Sequence, residues 1–175
     1  MPDWIEVTKT EFARYRHLAE RSFSQVNDEE FFRATDAESN SIAIIAKHIG
    51  GNLRSRWSDF LTSDGEKPDR DRESEFTAQP DRPEIMRIWD AGWTATLDTL
   101  QSLQPEDLEK TITIRSEPHT VPQALQRSLS HTAYHVGQIV TLAHQFRGTE
   151  WKTLSVPRGA SAAFLNAMRA KFKTP

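Results

Sequence analysis

Cysteine is absent from the 175 residues, which excludes disulfides, thiolate nucleophiles and cysteine-ligated zinc, so any metal must be held by nitrogen and oxygen donors. Long apolar runs are missing too. The purest one, Ile42 to Ala46, is far too short to span a bilayer, and Met1-Pro2-Asp3-Trp4 does not open a basic-then-apolar leader. Neither sign of charge dominates: 22 basic against 25 acidic side chains leave a net charge of −3. Without a basic stripe, nucleic acid and anionic membranes are poor candidates for the principal partner. The expectation is a cytoplasmic protein of one domain over residues 1–175, long enough to bury a substantial core. Its five tryptophans suggest a core built partly from large rings.

What the chain does have is helical periodicity. Thr8-Lys9-Thr10-Glu11 has the form of a capping box, and Phe12, Tyr15, Ala19, Phe23 and Val26 follow at helical spacing, predicting a first helix over about 8–26. Asn27 to Phe32 can cap a short turn. Ser41 then precedes Ile42, Ile45, Ile49, Leu53, Trp57, Phe60 and Leu61, a second helix over about 41–61, with Gly50 and Gly51 placed for close packing of a neighbour. Residues 62–82 are rich in Ser, Asp, Gly, Pro and charge, an uncommonly long loop in which Arg70 or Arg72 could hold an anionic substrate. Asp81-Arg82-Pro83-Glu84 opens a third helix over about 82–104. Lys110 to Arg115 alternates and can pair with His119-Thr120-Val121 as a small hairpin. A fourth helix follows over about 121–146, and a short one from Ala160 to Phe172 is expected to turn Phe164, Leu165 and Met168 inward. The class predicted is all-α: an antiparallel four-helix bundle with a hairpin between helices 3 and 4 and a short C-terminal helix.

The chemistry centres on Ser130-His131-Thr132-Ala133-Tyr134-His135-Val136-Gly137-Gln138. Residues four apart lie one above the other on a helix, so His131 and His135 project together, as two imidazoles do toward one metal ion. They border the apolar arc of Leu125, Leu129, Val136, Ile139, Val140 and Ala143, and Gln138 falls on nearly the same face. In a bundle, ligands from facing helices converge on the core, and His48 on the second helix is the natural third. Three histidines leave coordination positions open, the catalytic rather than the structural arrangement, and suit zinc or nickel. His144 points to the far side of its helix, and His17 and His119 lie on surface or loop positions, so none of these is a ligand.

A lone histidine on the second helix, then His131-x-x-x-His135 with Gly137-Gln138-Ile139 on the fourth, resembles the DinB/YfiT-like superfamily of metalloenzymes. The chain is similar to one of its subfamilies in Asn40-Ser41-Ile42-Ala43-Ile44-Ile45-x-Lys47-His48, in Ser55-Arg56-Trp57-x-Asp59-Phe60-Leu61, in Asp64-Gly65-Glu66-Lys67 and in Ser155-Val156-Pro157. Where that subfamily has Ile-Arg-Gly-Glu, this chain has Ile114-Arg115-Ser116-Glu117, a departure confined to the hairpin turn. The resemblance implies a four-helix bundle holding a divalent metal ion (Zn2+ or Ni2+) through His48, His131 and His135, and a homodimer. It also implies a small-molecule substrate, since relatives include transferases and isomerases that use bacillithiol, mycothiol or glutathione. The leading expectation is a transferase activating a low-molecular-weight thiol. A metal-dependent hydrolase would need a general base, for which only a Glu or Asp of the long loop offers itself. A non-catalytic metal- or ligand-binding bundle is the third reading.

Overall fold

The computed structural model describes residues 3–77 and 81–172. Its α-helices are α1 (Trp4–Phe23), α2 (Asp28–Phe32), α3 (Ile42–Trp57), α4 (Ser74–Thr77), α5 (Arg82–Ser102), α6 (Val121–Arg147) and α7 (Ser161–Lys171). A two-stranded hairpin, β1 (Thr111–Ile114) and β2 (Glu117–Thr120), joins α5 to α6. Among the described residues no helix is long and apolar enough to cross a membrane.

Helix α3 touches α5 and α6, and α1 touches the same two, so the four long helices close into a ring around one core. Their directions follow from which residues meet. Gly50 lies against Ile88 and Gly92, and Thr99 Oγ1 donates to the Trp57 carbonyl at 2.9 Å, so α3 and α5 run the same way. Lys9 bonds Gln101 while Arg16 bonds Asp90, which sets α1 antiparallel to α5. Helices α1 and α6 are parallel, their N-terminal turns sharing a groove and Gln25 meeting Lys152 beyond their far ends. The bundle is therefore antiparallel between pairs, and this explains the long connection from Ser58 to Asp81. The chain must travel back along the bundle before α5 can start in the same direction as α3.

Three of the five tryptophans, Trp57, Trp89 and Trp93, are fully buried, with Phe12 set edge-on to Trp57 at 5.4 Å and to Trp93 at 6.1 Å. The close passage of α3 over α5 requires glycine: a Cβ on Gly50 would stand 2.6 Å from the Ile88 carbonyl oxygen, and one on Gly92 would meet the Gly50 backbone.

Three expectations need correction. Helix α1 begins four residues early because the Asp3 carboxylate caps it, accepting from the amides of Ile5 and Glu6, and Thr8 instead bonds back to the Trp4 carbonyl from inside the helix. Helix α3 ends at Trp57, yet Phe60 stays buried, stacked on Trp57 at 5.0 Å. Helix α7 does not turn its apolar residues inward: Phe164 and Leu165 are about half exposed and no α7 residue is buried. The ring of four helices is already closed by the time α7 arrives.

Candidate metal centre

His48 sits in the second turn of α3, whose start is fixed by Ser41 accepting from the Ile44 amide. His131 and His135 sit one turn apart on α6, which opens with the reciprocal Thr120–Gln123 capping box. The antiparallel crossing of α3 and α6 brings the three rings together, with centroids 4.5 to 5.2 Å apart. Each offers a ring nitrogen within 4.8 Å of the other two, and His48 Nε2 is 3.3 Å from His131 Nε2. Two nitrogens bound tetrahedrally at about 2.05 Å would be about 3.3 Å apart, so that pair already has the required bite.

The outer partners decide which nitrogen faces inward. Glu75 Oε2 lies 2.8 Å from His48 Nδ1, and a carboxylate can only accept, so the proton is on Nδ1 and the Nε2 lone pair faces the other histidines. Gln138 Oε1, 2.7 Å from His135 Nδ1, fixes that ring in the same tautomer. This is the arrangement of metal-ligating histidines, whose second nitrogen donates to a carboxylate or carbonyl oxygen.

Charge is arranged to the same end. Burial pushes His131 down to about 3, helped by His135 and His48 beside it. Burial also lowers His135, against the upward pull of its bond to Gln138. Both rings are therefore neutral at pH 7, the form that binds metal. Burial works to raise Glu75, but the bond to His48 and the Arg70 guanidinium outweigh it and keep the carboxylate below its ordinary range. Arg70 grips Glu75 with two bonds of 2.8 and 2.9 Å.

Glu75 reaches His48 because the crossover segment is tied down along its length. Gly65 donates to the Thr113 carbonyl and accepts from Ser55, and Glu66 takes bonds from Arg56 and Arg115. The Asp64 carboxylate accepts from the amides of Arg115 and Ser116 at 2.8 and 2.7 Å. These two residues have positive φ, 56° and 64°, so this loop carboxylate braces the tip of the hairpin. Lys47 bonds the Ser74 carbonyl, anchoring α4, and Phe76 lays its ring 5.0 Å from that of His48.

Of the remaining histidines, His17 is exposed, His119 lies on β2 and His144 stacks on Trp151 at 5.4 Å, all outside the group. The three expected to converge do so. Arg70, one of the two arginines that could hold an anion, is instead spent on Glu75 and Glu66. Glu75 and Arg70 as outer partners escape a reading by periodicity, since nothing local marks one carboxylate of an irregular segment. The histidines open onto a cavity of about 420 Å³ whose walls include Asn52, Arg56, Trp57, Phe60 and Phe76.

A DinB-like protein from Bacillus subtilis, YjoA, matches the structure with a TM-score of 0.63 at 16% identity, over 83% of this chain and 96% of that one. At that identity the likeness shows the fold, which is the DinB-like bundle that the sequence resemblance implied. No curated protein matches the sequence. A family model described as "Protein of unknown function (DUF1572)" matches residues 1–160.

Proposed function

We propose that this chain, which belongs to the DUF1572 family of proteins of unknown function, holds one divalent metal ion, zinc or nickel, through His48, His131 and His135. The observation that carries the reading is the pair of outer acceptors. Glu75 and Gln138 hold two imidazoles in the tautomer that turns Nε2 inward, toward a third ring that burial keeps neutral. Three nitrogen donors without a thiolate or a ligating carboxylate fit zinc or nickel better than magnesium or calcium.

When bound there, such an ion supplies Lewis acidity that makes a thiol or a water easier to deprotonate. The chain supplies the rest. Trp57, Phe60 and Phe76 line the cavity beside the histidines and exclude water from one side of it. We assign the site to a transferase that activates a low-molecular-weight thiol toward a small electrophile. A hydrolase would need a free carboxylate as base, and Glu75 is held by His48 and Arg70, while no carboxylate is among the described residues lining the cavity. From the family resemblance we also propose a homodimer in the cytoplasm, and light scattering on the purified chain checks the dimer.

Elemental analysis of protein expressed without a polyhistidine tag is the first test, with about one zinc or nickel per chain expected. Metal-loaded protein is then screened with bacillithiol, mycothiol and glutathione against a panel of electrophiles. Metal-dependent consumption of one thiol is expected. Protein that carries metal but consumes none of them would reduce the site to a metal-binding bundle.

A further inference from the structure

The cavity beside the histidines has a second chemical character. His48, Asn52 and Arg56 stand at four-residue intervals on α3, and His135, His131 and Arg127 do so on α6, all of them on the cavity wall. Because the two helices are antiparallel, both ladders run from imidazole to guanidinium in the same direction. Eight residues of helix span about 12 Å, so the imidazole end and the guanidinium end are one small molecule's length apart. Arg72 and Arg115 reach the same cavity from the crossover and the hairpin, making four arginines, and no carboxylate is among the described lining residues.

The carboxylates behind the wall do not neutralise them. Glu66 is shared by Arg56 at 2.9 Å, Arg115 at 2.8 Å and Arg70 at 3.4 Å. Among the described residues Arg127 pairs only with Glu117, at 3.8 Å and largely in solvent. Arg72 is exposed and makes no ion pair with a described residue. Trp57 and Phe60 also line the cavity, and the side chain of Asn52, buried between the ends of its ladder, makes no hydrogen bond to a described residue. A positive site with apolar walls concentrates anions that carry an apolar body.

We propose that the cavity takes an organic oxyanion, a molecule whose carboxylate or phosphate is held by Arg72 and Arg127 with Arg115 beside them. Its apolar body lies against the apolar wall, on which Phe76 is the exposed ring, and its other end approaches His48, His131 and His135. The choice of reacting end rests on the metal reading, but recognition of the anion needs only the arginines. Guanidinium matches the planar, two-oxygen geometry of such groups.

The probes are 2-naphthoate, 2-naphthyl phosphate and the neutral 2-naphthamide, titrated by calorimetry into chelator-stripped full-length protein. Stripping removes direct binding of the oxyanion to a metal. At least one anion should bind tenfold or more tighter than the amide, and added sodium chloride should weaken it. The two anions separate carboxylate from phosphate recognition. In the double variant Arg72→Gln/Arg127→Gln the preference should fall to within about threefold. Both side chains are exposed, so the fold should survive, and Arg72→Lys/Arg127→Lys should restore part of the preference. Equal binding of anions and amide, or a double variant that keeps its tenfold preference, would overturn the proposal. Zinc titrated into the same preparations separates the two readings. Zinc binding without anion preference removes only the anion site, and anion preference without zinc binding removes only the metal site.

Discussion

Replacing Glu75 by glutamine removes a charge while keeping the side chain's shape, which isolates what the carboxylate does for the histidine it holds. Glu75 is buried, accepts from His48 Nδ1 at 2.8 Å and receives two bonds from Arg70. An amide oxygen can still accept from Nδ1, but it no longer raises the basicity of the ring, and the NH2 group then faces the Arg70 guanidinium, which has no acceptor, so a bond to Arg70 is lost. Loss of an outer partner of this kind costs about 10- to 100-fold in metal affinity. That corresponds to about 1.4–2.7 kcal/mol. The fold is weakened as well, since Arg70 keeps only Glu66 at 3.4 Å, and breaking a buried pair costs about 3 kcal/mol. The two effects are separable. Zinc affinity is read by competition with a chromogenic chelator at pH 7.5, well below the variant's melting temperature, and stability is read by urea unfolding of stripped protein. Wild-type zinc affinity, within twofold, in a folded Glu75→Gln protein would refute the role given to this carboxylate.

Acid should destabilise the metal-free protein through His131. Its folded-state value is about 3 against 6.5, so between these the unfolded chain binds more protons, and stability present above pH 6.5 is lost as pH falls toward 3. At pH 5 the full shift would amount to about 2 kcal/mol, discounted to about 1 kcal/mol for a ring still part-exposed, and urea unfolding at pH 7.5 and 5 should show a loss smaller by about that much in His131→Gln than in wild type, His135 supplying part of what remains. Ser116 holds a φ of 64° that glycine adopts freely, so Ser116→Gly should stabilise the hairpin by about 0.5–1 kcal/mol in urea unfolding. Gly92→Ala would drive a methyl into the Gly50 backbone and force α3 from α5, costing about 3 kcal/mol. A melting temperature within a degree of wild type would show that the two helices can separate freely.

The parts legible in sequence are those governed by local spacing. The His131/His135 pair and the Asn27–Glu30 capping box follow from residues three or four positions apart. The hairpin is legible only as a hairpin: its turn is Arg115-Ser116, with Glu117 and Pro118 paired in β2 and Val121 already in α6, not the Ser116-Glu117-Pro118 turn expected. The paired glycines at 50 and 51 predict a close approach, and the Gly50–Gly92 contact with α5 is one. Residues 62–82 looked too long for a loop. Their length follows from α3 and α5 running the same way, a property of the whole bundle that no window of sequence contains. Glu75 reaches His48 across 27 positions through irregular backbone, so only the folded chain identifies which carboxylate it is. Helix α7 shows the converse failure: apolar residues at helical spacing predict a buried face, but burial requires a free surface to cover. The ladder from His48 through Asn52 to Arg56 was present in the spacing, and its meaning emerged only with the facing ladder on α6.

The central claim is that three histidines from two helices hold one ion in the folded state. The most direct measurement is the melting shift on adding zinc to chelator-stripped protein, compared for wild type and for alanine variants of His48, His131, His135, His144 and His17. Free zinc at about a hundred times its dissociation constant adds about 2.7 kcal/mol. For a domain of this size that raises the melting temperature by roughly 5 to 10 °C. The account predicts the full shift in wild type, His144→Ala and His17→Ala, and loss of most of it in each of the other three. A stripped wild type that does not shift, or a His48→Ala protein that keeps the whole shift, would contradict it.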